Sequence, residues 1–99
     1  MNRARRIAAL RDIASALGPL ADDTEWYLFG SIGRDEAGAA DIDLLILCPS
    51  DERADRLRAV IDEDVLGIPL DLSLMTFDEE REVRAVALQR ALRIIPATA

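Results

Sequence analysis

Two acids, Asp41 and Asp43, stand one residue apart at the head of a nearly continuous apolar run, Ile42–Cys48 (IDLLILC). Such a run reads as a central strand buried on both faces. Side chains alternate along a strand, so both carboxylates point to one face, about 6–7 Å apart. Leu45 and Leu47 continue that face, while Ile42, Leu44 and Ile46 fill the other. Neighbouring carboxylates repel unless a cation sits between them. Asp-x-Asp also occurs as plain loop punctuation at strand edges, so the pair alone leaves metal binding open. If a metal is held, an oxygen-only donor set favours Mg²⁺ or Mn²⁺ over zinc.

Composition narrows the chemistry further. The chain has 99 residues, 51% apolar and only 4% aromatic, and no His. This predicts a single domain, 1–99, with one modest core built from Leu, Ile, Val and Ala. All twelve basic residues are Arg. Without His, the commonest general base and metal ligand is missing, so chemistry must run on carboxylates, Arg, Ser or backbone. The net charge of −7 argues against a broad nucleic-acid-binding face. Arg3, Arg5, Arg6 and Arg11 nevertheless crowd the first eleven residues, either as a solvated helix face or as a docking surface. The lone Cys48 excludes an internal disulfide and suits a reducing compartment. No window is apolar enough to span a membrane, and no signal-peptide core opens the chain. A soluble, cytoplasmic protein is expected.

Ile7, Leu10, Ile13, Ala14 and Leu17 recur at helical spacing, and Gly18-Pro19 stops that helix. Trp26–Phe29 reads as a strand, and Ile42–Cys48 as a second. Pro49-Ser50 ends the second strand, and Ser50 or Asp51 caps a helix carrying Ala54, Leu57, Val60, Ile61 and Val65. Gly67 is read as its end. Leu70–Met75 (LDLSLM) is a third strand. Thr76 with Glu79 forms a capping-box signature, opening a helix expected to run to about Leu92. Arg93–Ile95 either extends that helix or adds a short edge strand. The order α-β-β-α-β-α predicts an α/β (α+β) domain, a small mixed sheet flanked by helices.

Two further elements join the acids. Gly30-Ser31 directly follows the first strand. Glycine lets backbone approach a phosphate, and free N–H groups at a helix start attract anions. A phosphate cradle beside a divalent-metal site is what nucleotide chemistry requires. Asp71 sits at an inner position of an apolar strand, where an unpaired acid costs several kcal/mol. Leu70, Leu72 and Leu74 share one face of that strand, leaving Asp71 and Ser73 on the other. If this strand lies beside the Asp41–Asp43 strand, three carboxylates converge; an edge strand with Asp71 in solvent is the simpler alternative.

Gly-Ser, nine residues, Asp-x-Asp and a later strand-borne acid together resemble the nucleotidyltransferase superfamily that includes DNA polymerase β. Within it, the chain is similar to the minimal nucleotidyltransferases, over about residues 24–76. The resemblance implies the polymerase β-like fold. It also implies that Gly30 and Ser31 hold the β/γ-phosphates of a nucleoside triphosphate, and that Asp41 and Asp43 ligate two Mg²⁺ ions. Asp71 would complete the acceptor-side metal and act as, or orient, the base for the attacking hydroxyl. Arg34 matches an Arg usual three residues after the Gly-Ser serine. Gly33, Asp35 and Ala40 depart from the family pattern.

Stand-alone members resemble the antitoxin half of pairs in which the partner is an all-helical HEPN-type RNase toxin, silenced by transfer of AMP onto a hydroxyl. The resemblance therefore implies a Mg²⁺-dependent protein adenylyltransferase using ATP or another nucleoside triphosphate. Asp35 and the acidic balance also suit a weakly active or inert module that neutralises its partner by occlusion. A small-molecule transferase of the aminoglycoside-inactivating kind is the third reading. The Arg-rich first helix offers a surface to the partner or to a second copy of the chain.

Overall fold

A computed structural model describes residues 3–29, 42–61, 70–84, 86 and 91–96. Helix α1 spans Arg3–Leu17 and ends at Gly18, whose left-handed φ of 59° a residue with a Cβ adopts reluctantly. Pro19 then opens a single 3₁₀ turn, Gly18–Ala21. Strand β1, Glu25–Phe29, and strand β2, Ile42–Cys48, are antiparallel neighbours. Helix α2 is Asp51–Val60, strand β3 is Leu70–Thr76, helix α3 is Phe77–Val83 and strand β4 is Leu92–Ile95. The sheet order is β3-β2-β1-β4, with β2 and β3 parallel and the other pairs antiparallel. It is the small mixed sheet with helices that the sequence predicts.

The core lies on one face of the sheet. Leu10 and Ala14 of α1 and Leu57 of α2 pack there against Trp26, Leu28, Leu44, Ile46, Leu72 and Ile94. Ile7, Ile13 and Leu17 flank them, so the 3.6-residue periodicity of α1 is the stripe that docks. The opposite face carries a smaller cluster of Tyr27, Leu45 and Leu47, joined by Phe29, Met75, Phe77, Val86 and Ala91. The alternation read along Ile42–Cys48 is thus the division between two unequal faces.

Polar groups fix the joints. The Ser50 side chain accepts from the Arg53 backbone N–H at 3.2 Å, capping α2. Thr76 and Glu79 form the reciprocal capping box of α3. The Arg53 guanidinium donates to the carbonyls of Leu20 (3.2 Å) and Asp22 (2.6 Å), holding α2 to the turn that follows α1. Arg11 donates to the Ile94 carbonyl at 3.0 Å and ties α1 to β4.

Two helix ends differ from the sequence reading. Helix α2 stops at Val60, which is 53% exposed, and Ile61 turns extended (φ −83°, ψ 118°) to bury its own side chain. Both are β-branched and lose rotamer freedom in a helix, and burial of Ile61 decides the break. Val65 and Gly67 lie outside the described residues. Helix α3 does not reach Leu92: Arg84 adopts a left-handed conformation (φ 53°) and closes it. Leu92–Ile95 instead pairs with β1, where Ile94 is 1% exposed. Satisfying the free backbone edge of β1 and burying Ile94 outweigh local helix propensity. Arg93–Ile95 is therefore edge strand, the second of the two options left open above.

Candidate active site

Strands β2 and β3 run parallel with Asp43 in register with Asp71, and Leu45 with Ser73. Neighbouring strands lie about 4.8 Å apart, and paired residues project to the same face. The two carboxylates therefore stand beside each other on the smaller-cluster face, away from α1 and α2. They line a groove of about 300 Å³ with Phe29, Leu45, Ser73 and Met75. Asp43 is half-buried, whereas Asp71 and Ser73 are exposed.

The position of Asp71 differs from that of a buried inner acid. Strand β3 is the outermost strand of the sheet among the described residues, so the carboxylate meets water and escapes the desolvation cost. Edge placement and convergence with Asp43 hold together here, though the sequence reading set them against each other. Gly30, Ser31, Arg34 and Asp41 lie outside the described residues, as do Gly33, Asp35 and Ala40. Phe29, at the end of β1, is the register partner of Asp43. The described strand ends flanking residues 30–41 thus meet at the groove.

One feature of this face escaped the sequence. The Tyr27 hydroxyl donates to Glu25 Oε1 at 2.6 Å. Burial, then the bond to Glu25 and that residue's charge, push the phenol up to about 12, with Glu80 adding and Arg93 opposing. Alternation along Glu25–Phe29 places Glu25, Tyr27 and Phe29 on one face, but only the strand pairing shows that this is the face of Asp43. On the opposite face the Cys48 thiol is pushed up to about 11 by burial, against the pull of Arg53. It is inert core rather than a nucleophile.

Among the described residues, no group of three or more His, Cys, Asp or Glu side chains gathers to hold a metal. Asp43 and Asp71 supply two oxygen-donor side chains, and that chemistry fits a hard divalent cation better than zinc. The model of the nucleotidyltransferase domain family matches residues 7–94.

The chain belongs to the nucleotidyltransferase domain family.

This family, part of the polymerase β-like superfamily, transfers nucleotidyl groups and in general uses a nucleoside triphosphate with a divalent metal. Comparison with curated proteins gave no match, and neither did comparison with solved structures. As a nucleotidyltransferase domain, the chain has its paired acids on the open face of the sheet, with both core helices behind it. No helix among the described residues is long and apolar enough to cross a membrane.

Proposed function

We propose that the protein transfers a nucleoside monophosphate, AMP from ATP, onto a hydroxyl of a partner protein, and that the partner is a helical HEPN-type toxin silenced by the modification. The observation that carries the reading is the register pairing of Asp43 with Asp71 at an open groove. In this reading Gly30 and Ser31 hold the β- and γ-phosphates, with Arg34 beside them. Asp41, Asp43 and Asp71 are the ligands for divalent ions. When bound, Mg²⁺, with Mn²⁺ as a substitute, neutralises phosphate charge and stabilises the leaving pyrophosphate.

The remaining work falls to the chain itself. Asp71, the exposed member of the pair, orients the acceptor hydroxyl and takes its proton. The hydroxyl oxygen bonds to the α-phosphorus as the bond to pyrophosphate breaks, leaving a phosphodiester on the acceptor. Holding both reactants on one rigid sheet removes orientational freedom before the step. The open groove lets the acceptor arrive from outside these 99 residues.

The test is intact mass spectrometry of a toxin encoded beside this protein, after incubation with ATP and Mg²⁺. The partner should gain one or more AMP units, and Asp43→Asn should prevent both the gain and neutralisation. A confirmed partner that is neutralised with unchanged mass would refute transfer. Asp35, an acid within the Gly-Ser to Asp-x-Asp segment, favours that second reading, neutralisation by occlusion, and Asp43→Asn would then leave neutralisation intact.

A further inference from the structure

A second groove, of about 480 Å³, opens on the same sheet face. It is lined by Tyr27, Leu47, Phe77 and Val86, together with Glu25, Glu80 and Arg81. Strand β2 leads from one groove to the other through Asp43, Leu45 and Leu47, with Phe29, Tyr27 and Glu25 opposite in register. Asp43 to Leu47 is four residues of strand, about 13 Å.

The charges of this groove are unevenly answered. Glu80 Oε1 accepts from the Val86 backbone N–H at 3.0 Å, whereas Glu80 Oε2 is buried with no hydrogen-bond partner among the described residues. A carboxylate oxygen withdrawn from water without a donor is costly. Glu25 receives one bond, from the Tyr27 hydroxyl. Of the described cations on this face, Arg81 is paired with Asp78, and Arg93, the register partner of Tyr27, lies exposed on β4. Two acidic side chains among aromatic and aliphatic lining residues complement a group with an apolar stem, a flat cationic head and several donors. Arginine has that chemistry: its stem packs on apolar surface, and its guanidinium stacks on rings while donating to carboxylates.

We propose that this groove anchors an arginine side chain of the acceptor protein, about four extended residues from the hydroxyl that enters the Asp43–Asp71 groove. The inference rests on the proposed transfer to a protein hydroxyl, and it adds what selects the acceptor.

The probe is the peptide Ala-Tyr-Gly-Gly-Gly-Arg-Leu-Ala, together with its reversed sequence, titrated into the isotope-labelled full chain without nucleotide. The expected result is amide shifts at Tyr27, Leu47 and Val86, with affinity reduced about tenfold or more when the peptide arginine becomes alanine. Glu80→Gln should weaken binding similarly, since the amide places a donor where the guanidinium needs an acceptor; Glu25→Gln gives an independent check if Glu80→Gln alters the fold. Equal binding of the arginine and alanine peptides, shifts confined to another face, or no shifts at all would overturn the proposal. A parallel incubation with ATP and Mg²⁺ separates the two readings. Transfer to tyrosine without arginine dependence sinks the anchor alone, while arginine-dependent binding without transfer of AMP to the toxin sinks the transfer alone.

Discussion

Asp43 and Asp71 are register partners on parallel strands, two acids side by side across one rung of the sheet. Like charges at paired positions oppose sheet formation. Apolar or opposite-charge pairs would suit the same rung better, so the arrangement costs the sheet stability.

Asp71→Asn separates that cost from a role in transfer. If Asp71 serves the transfer site, activity should fall by more than the ~100-fold that loss of an outer-shell metal partner costs. Removing one of the paired charges should also stabilise the metal-free fold by about 0.2–1 kcal/mol, a rise of a few degrees in Tm for a domain of this size. Calorimetry without divalent ions and a transfer assay with them make the comparison. Retained activity would remove Asp71 from the site, and a lower Tm would show that the two acids do not strain the sheet.

Trp26 is fully buried, and its indole N–H donates to the Thr24 hydroxyl at 3.0 Å, which in turn donates to the Ala21 carbonyl at 2.5 Å. Thr24→Val keeps the shape and leaves the indole donor unanswered in the core. The expected loss is about 1–3 kcal/mol, read as a lower urea midpoint with unchanged slope. Thr24→Ser, which keeps the hydroxyl, should recover most of it.

Thr76→Ala tests the junction between β3 and α3. The substitution removes the hydroxyl half of the capping box, and Glu79 retains its 2.9 Å bond to the Thr76 backbone N–H. A cost of about 1 kcal/mol follows. Helix α3 is short, with no fully buried residue, so amide exchange across Phe77–Val83 should accelerate more than exchange in β3.

The helical stripe of α1, the alternation along Ile42–Cys48 and the Thr76–Glu79 cap were legible because each is a local pattern with one physical cause. The grouping of Asp71 with Ser73 on one face was legible for the same reason. Sheet order was not: that β3 is outermost and still beside β2 depends on pairings between residues far apart in the chain. The break after Val60 was hidden because Ile61 leaves the helical run to reach the core, and strand β4 was undecided because burial of Ile94 against β1 is a gain that no local window displays. Membership of the nucleotidyltransferase family was readable from Gly30-Ser31, Asp41, Asp43 and Asp71, because that combination of spacing and strand placement rarely coincides.

Tyr27 is the chain's one tyrosine, so phenolate absorbance reports, without labels, on the sheet face that carries Asp43. Its midpoint should lie near 12, raised mainly by burial and then by Glu25. A proton held more tightly in the folded state than the ordinary value of 10 stabilises the fold in full below pH 10. That contribution disappears as the pH rises through about 12. Stability should therefore decline across this window, and Tyr27→Phe should flatten the decline. Cys48, pushed up to about 11, adds an alkaline loss of its own, but one common to both proteins in the comparison. Glu25→Gln should lower the tyrosine midpoint, because a neutral amide no longer repels the phenolate. A midpoint unmoved by that substitution would assign the whole shift to burial and show that the 2.6 Å contact between Tyr27 and Glu25 contributes nothing to it.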